Sequence, residues 1–130
     1  MKKIFPVTIL LACLFALAAC GKSVTIPEGS WKLVSLNGDP VLAGTELTIE
    51  FKDGQAAGFS GCNSFGGAYE QSGESLKFGE LAMTLMACLD NGVMDQESAY
   101  MAALGAVDTV KVGENTLTLR GPEVELVYNR

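Results

Sequence analysis

Beyond residue 30, apolar and polar side chains alternate along short segments that Gly, Asn, Asp and Pro separate. Turn signals recurring roughly every eight to twelve residues are typical of antiparallel β structure. The clearest alternation is that of Leu47, Ile49 and Phe51 with polar neighbours, and a hairpin turn at Asp53 and Gly54 follows it. The pattern therefore predicts a mainly β domain.

The same alternation predicts further strands on both sides of that hairpin. The expected strands, by range or by apolar positions, are Trp31 and Leu33; residues 55–60; residues 67–71; Leu76 and Phe78; Val110 and Val112; Leu117 and Leu119; and Val124, Leu126 and Tyr128. We expect the last three to pair in sequence order as a three-stranded meander.

One stretch, residues 93–104, changes to a helical period. The positions that lie three or four apart are Met94, Glu97, Tyr100, Met101 and Leu104. This spacing predicts an amphipathic helix of about three turns that packs on the sheet and ends at Gly105. Asp90, Asn91 and Asp95 near its start suit the positive end of the helix dipole and can cap it. The sequence thus predicts an α+β domain with a single helix.

The first 19 residues follow a different pattern. Lys2 and Lys3 precede an apolar run over residues 4–19 that ends in small side chains just before Cys20. This organisation is typical of a secretory signal peptide. The residues before Cys20, Leu-Ala-Ala, look like a bacterial lipobox, in which the peptidase cuts before a lipidated cysteine. We therefore expect the mature chain to begin at a lipidated Cys20.

Two alternatives to cleavage at Cys20 are less favourable. An uncleaved membrane anchor would need an apolar run of about 20 residues, and the run over residues 4–19 is 16 residues long. Cleavage at Cys13 would leave only residues 4–12 as the hydrophobic segment and would place a second apolar stretch in the product. The predicted organisation is a signal peptide over residues 1–19, a lipidated tether over residues 20–29 and a folded domain over residues 30–130.

Lipidation at Cys20 would attach the domain to a membrane surface. Each buried methylene contributes about 0.8 kcal/mol and one acyl chain alone binds marginally, so two or more chains are needed for stable anchoring. Gly21 stands where inner-membrane lipoproteins usually carry Asp. We therefore expect an outer-membrane lipoprotein that faces the periplasm.

Composition excludes several classes of function. The chain has nine Lys plus Arg, fifteen Asp plus Glu, a formal net charge of −6 and no His. Nucleic-acid binding is not expected, because phosphate contacts need clustered basic residues. Without His, Ser-His-Asp and Cys-His catalysis and imidazole zinc sites are impossible. Oxygen ligands at Asp90, Asn91, Asp95 and Glu97 lack the EF-hand spacing for calcium. We expect no catalytic centre, no cofactor and no metal.

Cys62 and Cys88 are the thiols that remain in the expected folded domain. Paired thiols oxidise in exported proteins, and a disulfide here would close a 27-residue loop and stabilise by about 3.5 kcal/mol. A redox-active pair is the alternative, although such pairs usually form Cys-x-x-Cys. Metal binding would need two further ligands. We therefore predict a structural disulfide.

Four methionines admit two interpretations. Met83, Met86, Met94 and Met101 can line a pliable binding surface or fill gaps in the core. Scattered methionines more commonly fill the core, and we expect that here.

Several segments together resemble the META-domain family, which includes the heat-shock lipoprotein HslJ. They are residues 31–34, 61–69, 76–78 and 81–88, together with Glu97. The most specific are the Gly-Cys-Asn turn at residues 61–63 and the Met-Thr-x-Met-x-Cys segment at residues 83–88. The resemblance covers residues 30–128.

The resemblance implies a compact, highly twisted antiparallel β domain with a packed helix, and it implies that Cys62 and Cys88 approach each other. It brings no catalytic site, only links to heat shock, envelope stress and antibiotic tolerance. We therefore expect a monomeric, non-enzymatic lipoprotein that contacts an unidentified envelope protein. A carrier of small hydrophobic ligands or lipids is the alternative, and a thiol oxidoreductase is a third. Asn63 and Thr84 are expected to hydrogen-bond in the turn region.

Overall fold

The computed structural model describes residues 23–130. The predicted signal peptide, its cleavage and the lipidation of Cys20 lie outside the described residues. The elements of the described part are β1 (Gly29–Leu36), β2 (Asp39–Pro40), β3 (Leu47–Lys52), β4 (Gln55–Ser60), β5 (Ser64–Ser72), β6 (Ser75–Phe78), β7 (Ala82–Met83), α1 (Val93–Ala106), β8 (Thr109–Val112), β9 (Thr116–Arg120) and β10 (Glu125–Asn129).

Eight of the strands in residues 23–130 form a closed antiparallel barrel, in the order β1, β3, β4, β5, β6, β8, β9 and β10. The ring closes because β10 also pairs with β1, where Leu33 lies opposite Tyr128. The two short strands, β2 and β7, pair with β1 and β5. Closure pairs what would otherwise be the two open edges of the sheet. The prediction of a mainly β domain with one helix is confirmed.

The inward positions of the strands are those that the alternation indicated. The side chains at or near complete burial include Trp31, Leu33, Leu47, Ile49, Phe51, Leu76, Leu117, Leu119, Leu126 and Tyr128. Burying one such side chain contributes about 1.5–3 kcal/mol, so these positions supply most of the driving force for folding. The predicted meander is β8–β9–β10. The strand expected over residues 67–71 begins earlier, at Ser64.

Helix α1 packs against β4 and β6. Its Tyr100 hydroxyl lies 3.0 Å from the Tyr128 hydroxyl inside the core. Burial raises the pKa of both phenols well above the usual value, so both keep their protons and one donates to the other. This bond satisfies two polar groups that would otherwise be unpaired among apolar side chains.

Both ends of α1 differ from the expectation. The helix begins after Gly92, whose φ of 83° places it in the left-handed region, and it has no side-chain cap. The prediction that Asp90 and Asn91 cap the helix is therefore wrong, although Asp95 does lie in the first turn. The helix also continues through Gly105 to Ala106. Gly105 does not end it because the chain turns extended only at Val107.

The folded domain begins before residue 30. Ile26 is 3% exposed and belongs to the core. The Gln71 side chain accepts from the Ile26 amide at 3.4 Å and donates to the Val24 carbonyl at 3.0 Å. The Trp31 indole donates to the Pro27 carbonyl at 3.3 Å. Residues 24–27, which the sequence assigned to the lipidated tether, thus contact the barrel, because apolar Ile26 packs into its core.

The close approach of β3, β4 and β5 at Gly58 yields a first prediction. A β-carbon at Gly58 would lie 2.0 Å from the Thr48 carbonyl oxygen and 2.8 Å from Phe65 Cζ. We expect Gly58→Ala to lower the free energy of unfolding by roughly 3 kcal/mol, because backbone and ring must both shift. Urea unfolding of the purified protein measures it.

Gly105→Ala is the matched control, since nothing lies within 4 Å of the added atom. It should raise stability by about 0.5–1 kcal/mol, because alanine is the better helix former. Equal midpoints for Gly58→Ala and the wild type would contradict the packing described for the three strands.

Candidate functional site

The segment that connects β7 to α1, residues 84–92, presents apolar side chains to solvent. Leu85 is 92% exposed, Leu89 is 95% exposed and Met86 is 58% exposed. We call this segment the apolar loop. Fully exposed leucines contribute nothing to the stability of the barrel, so the core does not explain their presence.

A disulfide fixes the apolar loop to the barrel. Cys62 lies in the turn between β4 and β5, and it is bonded to Cys88 with 6.0 Å between their Cα atoms. The turn depends on Gly61, whose φ of 96° favours glycine. The structure therefore contains the disulfide that the sequence predicted.

Asn63 holds the same loop by hydrogen bonds. Its Oδ1 accepts from the Met86 amide at 2.6 Å and from the Thr84 hydroxyl at 2.9 Å. Its Nδ2 donates to the Met86 carbonyl at 3.1 Å and to Glu97 Oε1 at 2.8 Å. The Thr84 hydroxyl in turn accepts from the Ser64 amide at 3.1 Å. The Asn63 side chain thus makes with this irregular segment the hydrogen bonds that a neighbouring strand would otherwise make.

Glu97 is a carboxylate on the buried face of α1, only 3% exposed. Its Oε2 accepts from the Ser60 hydroxyl at 2.5 Å and from the Asn63 amide at 2.7 Å. Burial raises the pKa of this carboxyl, but the hydrogen bonds from Ser60 and Asn63 lower it further, so the pKa lies below the usual 4.5. Glu97 is therefore ionised at neutral pH and joins α1 to the turn that carries Cys62.

A cavity of about 550 Å³ lies between the apolar loop, β7 and α1. Asn63 and Glu97 contribute polar lining, and Leu85 and Ser98 lie in the wall. The remaining lining includes Met83, Met86, Met94 and Met101. The site is thus an apolar recess beside a buried carboxylate.

The expectation that the methionines fill the core is wrong for Met86 and Met94. Met86 is 58% exposed, Met94 is 36% exposed, and Met83 and Met101 are only partly buried at the edge of the core. On α1 the buried face comprises Val93, Glu97, Tyr100, Ala103 and Leu104. Met94 and Met101 directly follow two residues of that face, Val93 and Tyr100, so they lie beside it and line the cavity.

The described residues offer limited chemistry of the usual kinds. Within residues 23–130, no group of three or more His, Cys, Asp or Glu side chains is placed to hold a metal ion. The Cys62 and Cys88 sulfurs are bonded to each other, and the Glu97 carboxylate is held by hydrogen bonds. What the arrangement presents is an apolar, polarisable surface.

In the part of the chain that the structure describes, no helix is both long enough and apolar enough to cross a bilayer.

The sequence of this chain matches the model of a known protein family. The family model described as META domain matches residues 23–129. The chain belongs to the META-domain family. The resemblance drawn from the cysteine, asparagine and methionine segments is thereby confirmed, and the match begins close to Val24, where the contacts of the domain begin. No match is found among curated proteins.

Solved structures share the fold of this META domain. An NMR structure of a protein from Burkholderia xenovorans is 29% identical, with a TM-score of 0.66, and the match covers 79% of this chain and 81% of that one. A second NMR structure is 28% identical with a TM-score of 0.64, covering 78% and 88%. A DUF4847 family protein from Bacteroides vulgatus, 16% identical with a TM-score of 0.60 over 78% and 92%, shares the fold alone.

The structure brings the predicted residues Cys62, Cys88, Asn63 and Thr84 into one cluster. Sequence reasoning placed Glu97 on the inner face of the helix but missed its bond to Ser60. A carboxylate among apolar positions of a helix was the available signal, since a buried charge requires partners.

Removing the disulfide yields a second prediction. Cys62→Ala with Cys88→Ala should lower the free energy of unfolding by about 3.5 kcal/mol, because the unfolded chain regains the freedom of the 27-residue loop. Denaturant unfolding measures it, and reduced wild type serves as the control. Oxidised, reduced and doubly substituted proteins that all unfold at one midpoint would contradict a stabilising bond.

The Glu97 carboxylate yields a third prediction. Glu97→Gln should lower the free energy of unfolding by roughly 3 kcal/mol at pH 7, because an amide presents N–H groups to donors. Since the folded pKa is lowered, ionised Glu97 stabilises above pH 4.5 and this contribution is lost as pH falls through the folded pKa.

Urea unfolding between neutral and acidic pH therefore should show the wild type approaching Glu97→Gln below pH 4.5. Glu70→Gln, at an exposed strand position, is the control and should change little at any pH. A stability difference for Glu97→Gln that did not vary with pH would refute the ionised network.

Proposed function

We propose that this META-domain protein is a lipid-anchored envelope lipoprotein that binds another envelope protein through the apolar loop and the cavity beside it. The observation that carries the proposal is the exposure of Leu85, Met86 and Leu89 on a segment that a disulfide and Asn63 hold in place. Contiguous exposed apolar side chains mark interaction surfaces.

The loop is suited to binding because it is already ordered. Association loses free energy when flexible segments must be fixed at an interface. The Cys62–Cys88 bond and the hydrogen bonds between Asn63 and Met86 fix the backbone beforehand. Burial of one leucine side chain in a partner contributes about 1.5–3 kcal/mol, so Leu85 and Leu89 together can supply much of the affinity.

The charges around this surface favour one type of partner. Asp90 follows Leu89, Asp95 follows Met94, and both acidic side chains are exposed. The chain as a whole carries a formal net charge of −6. An apolar protein segment flanked by Lys or Arg complements this surface, whereas an anionic membrane surface would be repelled. The partner we propose is such a segment of an envelope protein.

The anchor and the cellular role belong to the same proposal. Lipidated Cys20 would hold the domain at the periplasmic face of the outer membrane, a few residues from Val24. Membership of the META-domain family supports a role in heat shock or antibiotic tolerance through protein contacts and without catalysis. The protein would act as a monomer that needs no cofactor.

One observation favours a second function, the binding of a small hydrophobic ligand or lipid. The cavity of about 550 Å³ has the size of known small-molecule sites. Native mass spectrometry of the protein purified from its own membrane decides this: a co-purified apolar molecule that the variant Met101→Trp excludes supports a carrier. The absence of any added mass, with no thermal shift on adding lipids, rejects it.

A fourth prediction tests the protein-binding surface with a defined probe. We expect a synthetic peptide with a leucine-rich centre and lysines at both ends to bind the full protein, as fluorescence anisotropy would show. The same peptide with glutamates at its ends should bind at least about tenfold more weakly, because it meets Asp90 and Asp95.

Leu85→Ser with Leu89→Ser should abolish peptide binding without changing the midpoint of unfolding, since both leucines are exposed. Val34→Thr, an exposed apolar position on β1 that does not line the cavity, is the matched control and should bind normally. Equal binding of both peptides, or binding by the double serine variant, would sink the proposal.

A further inference from the structure

The methionines of the domain are gathered at one place. The chain contains five methionines, and the four that fall within the described residues, Met83, Met86, Met94 and Met101, all line the same cavity. The core itself is filled by branched and aromatic side chains. Met83 and Met101 also pack against the core, but core filling does not account for the exposed Met86 and Met94 or for the position of all four at one cavity.

The four side chains approach the cavity from different walls. Met94 and Met101 are seven residues apart on α1, which places them on one face two turns apart, about 10.5 Å along the axis. Met83 enters from β7 and Met86 from the apolar loop. Each methionine has three rotatable bonds and a polarisable thioether, so sulfurs from separate elements can turn toward one point.

The ligand set selects the class of metal. Thioethers are soft ligands that favour Cu(I), whereas Mg²⁺ and Ca²⁺ need several oxygen ligands. The Glu97 oxygens that face this region are already occupied by hydrogen bonds. Both cysteines of the cluster are bonded to each other, which leaves the thioethers as the sulfur ligands.

The electrostatics of the cavity suit a cation of low charge. Glu97 contributes one carboxylate to the wall, and Lys and Arg are absent from the lining given by the described residues. A single negative charge beside neutral thioethers balances a monovalent ion, whereas a divalent ion would leave an excess positive charge in an apolar recess.

We propose that this cavity binds a soft monovalent cation, Cu(I) or its redox-inert equivalent Ag(I), through the thioether sulfurs of Met83, Met86, Met94 and Met101. Binding changes neither the oxidation state of the ion nor that of the protein. The site shares a wall with the surface proposed for protein binding but does not depend on it, because sulfur coordinates the ion and exposed leucines bind the peptide.

The direct test is a titration of the full protein, labelled with ¹³C at the methionine methyl groups, with Ag(I). We expect the four cavity methyl signals to shift together and to saturate at one Ag(I) per protein. Zn²⁺ should leave them unchanged. Competition with a Cu(I)-specific chelator under anaerobic conditions then gives the affinity for Cu(I). Unshifted methyl signals, or a shift at a single methionine, would overturn the proposal.

Substitution by leucine keeps the volume and apolar character of methionine but removes the sulfur. The variant with Leu at all four positions should bind Ag(I) at least about 100-fold more weakly, because no thioether ligand remains in the cavity. Should that variant not fold, the single variants Met86→Leu and Met94→Leu at exposed positions should each weaken Ag(I) binding about tenfold.

Leu89→Ser is the converse control, since Leu89 does not line the cavity; this variant keeps every thioether and should bind Ag(I) as the wild type does while binding the lysine-flanked peptide more weakly. Undiminished Ag(I) binding by the leucine-substituted proteins would overturn the metal site and leave the protein-binding proposal intact. Weaker peptide binding with unchanged Ag(I) binding in this serine variant would support the protein-binding surface and would not bear on the metal site. Failure of one proposal is therefore distinguishable from failure of the other.

Discussion

The apolar-loop face of this domain depends on the ionised carboxylate of Glu97 and its hydrogen bonds. This carboxylate is buried, so it must be satisfied by donors, and those donors are Ser60 and Asn63 at the turn between two barrel strands. Asn63 then uses its remaining groups to hold the backbone of Met86. One buried charge thereby fixes the helix, the turn and the apolar loop relative to one another, and the Cys62–Cys88 bond adds a covalent tie at the same place.

The closed barrel explains why such a loop can remain apolar and exposed. The core is completed by inward side chains of the strands and by Tyr100 and Leu104 of α1, so the apolar loop is not needed to cover it. Hydrogen bonds and a disulfide hold the loop in place, and burial of its own side chains does not. A segment fixed in this way keeps Leu85 and Leu89 in solvent, which an ordinary hydrophobic segment would avoid by collapsing onto the core.

Local patterns were sufficient to predict the eight barrel strands, because strand period is a local property, as in the alternation of residues 47, 49 and 51 with polar neighbours. They did not predict the short strands β2 and β7 or the early start of β5. Barrel closure was not predictable in the same way, since the pairing of Leu33 with Tyr128 joins positions 95 residues apart. Met94 was misplaced because it follows the buried Val93 by only one position on the helix. The partners of Glu97 were missed because Ser60 lies 37 residues away. The approach of Cys62 and Cys88 in space was predicted twice, from their being the two thiols that remain in the folded domain of an exported chain and from the resemblance to the META-domain family.

Hydrogen exchange of the Met86 backbone amide in the full protein shows directly whether Glu97, Asn63 and the disulfide hold the apolar loop in place. This amide donates to Asn63 Oδ1 at 2.6 Å although it lies in a segment without regular structure and its side chain is 58% exposed. Anchoring by Glu97, Asn63 and the disulfide predicts protection at neutral pH similar to that of barrel amides such as Ile49. Exchange of the Met86 amide as fast as in an unstructured peptide would show that the loop is not held, and would contradict the account.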